Sequence, residues 1–134
     1  MSAAVEAMLY ATLHGDTALM AIADGGVWRD VAPPGTTGTV VVFSLAAADD
    51  QYALAHRAFT DGIYSIKAIT PGESATPAWA AAGRVEALLT DTTLTPTTGH
   101  VLNCRRQSVI SMTEVDNGDQ YQHVGALYTI TTQE

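Results

Sequence analysis

Two runs decide the fold class: Val101-Leu-Asn-Cys-Arg-Arg-Gln-Ser-Val-Ile-Ser-Met112 and Gln120-Tyr-Gln-His-Val-Gly-Ala-Leu-Tyr-Thr-Ile130. Both carry the β-branched and aromatic residues that suit a pleated surface. Between them lies Glu114-Val-Asp-Asn-Gly-Asp119. Asn117-Gly118 accepts the positive φ angles of a two-residue hairpin turn, so the sequence predicts two paired antiparallel strands.

The segment before this hairpin, Asp91 to Gly99, is Thr-rich, interrupted by Pro96 and irregular. Ahead of it, Thr76-Pro77 joins an N-cap hydroxyl to a proline at the first helical position. Ala78, Ala81, Val85 and Leu88, with Ala82 and Leu89, form one apolar stripe, predicting a helix through Thr90. Trp79 falls beside that stripe, placed to cap the core or touch a neighbour.

Ile63-Tyr-Ser-Ile-Lys-Ala-Ile69 alternates as a strand does, with Tyr64, Ile66 and Ala68 on one face. Ile63, Ser65, Lys67 and Ile69 take the other. Thr39-Val-Val-Val-Phe-Ser-Leu45 reads as a buried strand. Between the two strands, Ala46 to Thr60 is Ala-rich with Asp49-Asp50 inside it, and reads as a long mobile excursion.

Near the start, Val5, Met8, Leu9 and Leu13 have helical spacing over Ala3 to Leu13. Gly15 stops that helix and Asp16 caps a shorter one, Thr17 to Ala23, burying Leu19, Met20 and Ile22. Asp24-Gly25-Gly26 is a turn, Val27-Trp28-Arg29 a brief extended piece, and Ala32 to Gly38 an irregular loop. The order implies one α+β domain over residues 1–134, an antiparallel sheet of about four strands with helices packed mainly on one face.

Composition narrows the role. Charged residues make up 15% of the chain, against about 25% for an ordinary soluble protein, and a surface so poor in charge suits coverage by other subunits. Fourteen acidic residues oppose six basic ones, for a formal net charge of −8. Such a chain does not grip nucleic acid by displacing counterions from phosphates. It suits surrounding DNA with a wall that repels the duplex and lets it slide. Lys67 is the sole lysine, and Arg29, Arg57, Arg84, Arg105 and Arg106 form no basic stripe.

The lone Cys104 allows no intrachain disulfide and fits a reducing compartment. The N-terminus lacks basic residues ahead of an apolar stretch, so no secretory signal is expected. His14, His56, His100 and His123 lack zinc spacings. No nucleophile elbow or phosphate loop occurs, and no cofactor is expected. Cys104 shares a strand face with Arg106, and its reading is a core thiol.

Taken together, several segments resemble the tail completion, or tail terminator, family of long-tailed bacteriophages and gene-transfer particles. The likeness rests on the opening helix with Val5, Met8 and Leu9, and on Val27-Trp28-Arg29-Asp30 leading into a Pro-Gly loop. It continues through Val40-Val-Val-Phe-Ser-Leu45, the helix Trp79 to Leu89, and the close Gln120 to Ile130 with His123, Gly125 and Tyr128. Ala126 departs from it, standing where the family often has a second glycine.

The resemblance implies a ring, usually hexameric, seated between tail tube and head connector or stopper in the virion neck. Assembled in the host bacterial cytoplasm, that ring stops tube growth and lets DNA pass as cargo. A ring needs two different patches that match head to tail. Asp49, Asp50, Arg57 and Phe59 in the excursion, Arg105 and Arg106, and Glu114, Asp116 and Asp119 at the hairpin tip are the candidate contacts with a subunit, the tube or the connector. Two other readings stay open at this point. One is another neck component, such as a head-completion or stopper protein. The other is a small enzyme or ligand-binding domain using Tyr121, His123 and Tyr128, which expects a deep pocket joining them.

Overall fold

The computed structural model describes residues 3–53, 56–90 and 93–133. The helices α1 (Ala3–His14) and α2 (Thr17–Ile22) precede the strands β1 (Gly26–Arg29), β2 (Val40–Ala53) and β3 (His56–Pro71). Helix α3 (Thr76–Thr90) then leads to β4 (His100–Asp116) and β5 (Asp119–Gln133). The class is α+β, as the pattern predicts.

The sheet departs from expectation first in its strand count and sense. It has five strands in the order β1-β2-β3-β5-β4 and is mixed, because β1 joins β2 in parallel. Val27 sits opposite Val41 and Trp28 opposite Val42. The 24–26 turn makes this pairing possible: Gly25 N donates to Thr39 O at 2.8 Å, and the Asp24 carboxylate accepts from Thr39 N at 2.9 Å. Gly26 holds φ at 97°, a value an L side chain resists. A four-residue strand beside two glycines carries too little periodicity to announce itself.

The second departure is larger. The described residues of Ala46 to Thr60 form no excursion but continue the β2–β3 ladder to Ala53 opposite His56. Register shifts between Leu45 and Ala47 and between Gln51 and Tyr52 bend this arm. The arm needs no apolar alternation because neither face of its β2 half is buried as far as Tyr52, and pairing with β3 holds the inner side of its backbone. The Thr60 hydroxyl donates to Asp50 Oδ1 at 2.8 Å across it.

All three helices lie on one face of the sheet. Helix α3 crosses β3, β5 and β4, while α1 covers β1 and α2 wedges between α1 and α3. The core joins Leu9, Leu13 and Leu19 to Ala81, Val85 and Leu89 of α3 and to Phe43, Tyr64, Ile66, Ala126, Tyr128 and Ile130 of the sheet. Burying each large apolar side chain is worth roughly 1.5–3 kcal/mol. The alternation of β3 is as predicted, with Tyr64, Ile66 and Ala68 buried and Ile63, Ser65, Lys67 and Ile69 half-buried opposite. Asp16 caps α2 by accepting from Leu19 N at 2.8 Å and holds Arg84 of α3 at 2.7 and 2.8 Å. One carboxylate thus fixes α2 against α3.

Candidate assembly surface

The β4–β5 hairpin is the longest exposed feature. Asn117 and Gly118 take φ angles of 54° and 84° and close the turn. Residues 111–120 are exposed throughout. The hairpin is stiffened from below: His123 Nε2 lies 3.0 Å from Glu114 Oε1, the carboxylate accepting from the ring. Thr113 donates to Gln122 at 2.8 Å, and Gln122 donates to Gly72 O at 3.0 Å. Glu114, Asp116 and Asp119 therefore share one acidic tip, with Val115 exposed among them.

The other candidates sit elsewhere. Asp49 and Asp50 are exposed on the distal arm of β2, and Phe59 is half-buried on the facing strand. The Arg57 side chain lies outside the described residues. Arg105 and Arg106 are exposed on β4, and strand alternation turns them to opposite faces. Arg106 meets Glu86 of α3 at 2.6 Å, so it serves the fold. Arg105 has no ion-pair partner among the described residues. The structure thus divides these positions between the arm, the β4 edge and the hairpin tip.

Strand parity shows which side chains share a level. Asp49, Asp61, Thr131 and Asn103 form one row across the sheet, and Ala47, Ile63, Thr129 and Arg105 the next. Both rows lie on the face away from the helices. The Thr131 hydroxyl donates to Asp61 at 2.6 Å within that face.

The same face holds a cavity of about 480 Å³ under the 30–38 loop, lined among others by Val31, Pro33, Val42, Lys67, Ile69 and Tyr121. His123 and Tyr128 do not line it. Tyr128 belongs to the helix-side core, and His123 is buried on the opposite face against Glu114. The three residues of the ligand-binding reading therefore do not converge. Among the described residues no cluster of three or more His, Cys, Asp or Glu is placed to hold a metal, and no helix is long and apolar enough to cross a membrane.

Burial sets the ionisation of the groups beneath. It pushes the Cys104 thiol up to about 11, which keeps it protonated and unreactive at neutral pH. It pushes the Tyr128 phenol up to about 12, reinforced by Glu86. Tyr64 rises to about 12 for the same reason, with Glu6 adding to it.

Sequence reasoning missed the unpaired outer edge of β2. Its only signal was the repeated Ala and Asp at 46–50, which are weak strand formers.

This geometry defines a brick: one sheet, one helix layer, and two long strand edges carrying different side chains. Solved structures share the fold. A chain from the virion of a native gene transfer agent (GTA) particle matches with a TM-score of 0.79 at 22% identity, covering 100% of both chains. A second solved chain matches with a TM-score of 0.55 at 14% identity, covering 93% of this chain and 94% of its own. At these identities the likeness is one of fold. No protein-family model and no curated protein matches the chain.

Proposed function

We propose that this chain is a structural virion protein, a tail terminator whose ring halts tail-tube growth and joins the tail to the head connector or stopper. The observation that carries this reading is the end-to-end structural match to a chain of a gene transfer agent virion. The molecule's open edges support it, because a ring needs two unlike patches on each subunit. So does its charge: a net −8 suits a passage through which DNA moves as cargo without being held. The output of such a protein is contact, with no reaction and no cofactor.

Deletion of the gene from a particle-producing strain tests the reading. Micrographs should show filled heads beside overlong or unjoined tails, restored when the gene is supplied in trans. Normal, joined particles from the deletion strain would refute it. Immunogold label at another level of the neck would reassign the chain to a different neck component.

A further inference from the structure

The two outer edges of the sheet bear unsatisfied backbone along most of their length. Strand β4 pairs with β5 alone, leaving the far side of His100–Asp116 open among the described residues. Strand β2 is covered by β1 only from Val40 to Phe43, and Asp30 N donates to Phe43 O at 2.9 Å just where the cover ends. From Ser44 to Ala53 its outer side has no strand neighbour among the described residues. Natural sheets blunt such edges with charge, proline or cover, because a bare edge accepts another chain. Neither edge here carries a lysine or a proline.

Apolar exposure is concentrated on these strands. Of the nine large apolar side chains exposed among the described residues, six lie on them: Leu45 and Tyr52 on β2, and Leu102, Val109, Met112 and Val115 on β4. Away from the acidic hairpin tip, the charges also differ in sign. The open part of β2 carries Asp49 and Asp50, whereas β4 at the neighbouring level carries Arg105, one row away on the same face as Asp49.

Direction completes the match. The β2–β3, β3–β5 and β5–β4 pairs are all antiparallel, so β2 and β4 run in opposite senses. A copy rotated about an axis roughly along the strands brings its β2 edge beside β4 in the antiparallel sense. We propose that the outer edge of β4 pairs with the 44–53 edge of β2 in a second copy, Arg105 facing Asp49 across the seam. Diagonal cross-strand neighbours lie about 7–8 Å apart, within reach of an arginine. The contact is head to tail: it leaves one copy with a free β2 edge and the other with a free β4 edge, as ring closure requires. The inference rests on the ring reading and specifies its seam.

Cysteine pairs in a Cys104→Ser background test it. Ala47→Cys is combined in one chain with Asn103→Cys, Arg105→Cys or Gln107→Cys, which sample adjacent registers, and the concentrated protein is oxidised. At least one pair should give a ladder of covalent multimers, since paired strands bring Cα atoms within disulfide range. Each single cysteine variant should stay monomeric on the same gel. Dimers from a single β4 cysteine would mean β4 meets β4, overturning the head-to-tail seam.

Multimers seen by sedimentation with no ladder in any register would overturn the seam and leave the ring standing. Monomers at every concentration would overturn both. In parallel, Arg105→Asp should weaken assembly about fivefold, a loss of about 1 kcal/mol per contact, and Asp49→Arg in the same chain should restore it. A double variant as weak as the single one would remove Arg105 from the seam.

Discussion

Gly125 shows how a single hydrogen can decide a strand. It lies opposite Lys67 in the centre of the sheet, where an added Cβ would meet the Ile66 carbonyl oxygen and Lys67 Cα, and Lys67 Cβ at 2.6 Å. Its φ is not in the left-handed region, so the requirement is space and not conformation. Backbone on a central strand cannot step aside as a flexible side chain does. Gly125→Ala should therefore cost about 3 kcal/mol, near the top of the usual overpacking range. The midpoint of urea unfolding checks this, and an unchanged midpoint would show that β3 and β5 separate freely at that row.

Helix α2 depends on Asp16 in a way that makes it sensitive to acid. The Arg84 guanidinium holds the Asp16 carboxyl below its ordinary 3.8; burial opposes this and the Leu19 N–H assists it. A carboxyl lowered by folding stabilises the native state above its unfolded value, and that contribution is lost as pH falls through the lowered one. Asp16→Asn keeps a capping oxygen but not the charge. The variant should melt below the parent at neutral pH and converge with it in acid; parallel melting curves across the carboxylate range would contradict the assignment. Elements with a local chemical signature were legible in this chain: Thr76-Pro77 marks the start of α3, Asn117-Gly118 closes the hairpin, and Val40 to Leu45 reads as strand. The arm at 46–60 was not, because Ala and Asp there owe their strand conformation to the register begun at Val40–Phe43. Strand β1 was seen only as an extended piece, since its parallel pairing is set by the Asp24 and Gly25 contacts with Thr39 across a loop.

At the scale of the whole molecule, legibility was uneven for a related reason. Layering follows from residue pattern: helices on one face, and a core of Leu9, Leu13, Tyr64, Ile66 and Tyr128. Surface roles do not follow from it. Arg105 and Arg106 are adjacent and chemically equal in sequence, yet one is tied to Glu86 while the other is without an ion pair among the described residues. Only tertiary packing separates them. The same holds for Tyr121, His123 and Tyr128, which look like neighbours along a strand and end in three different surroundings.

The chain's sole ε-amine, on Lys67, lies on the bare side of the sheet and looks into the space under the 30–38 loop. That makes it a built-in chemical reporter of what happens to that side. Subunits joined through their strand edges leave it open, so an amine-directed reagent should acylate Lys67 as fast in closed rings as in free protein, read by peptide mapping. A marked slowing on ring closure would mean that neighbouring subunits overlap by their flat sides, like tiles, instead of meeting rim to rim.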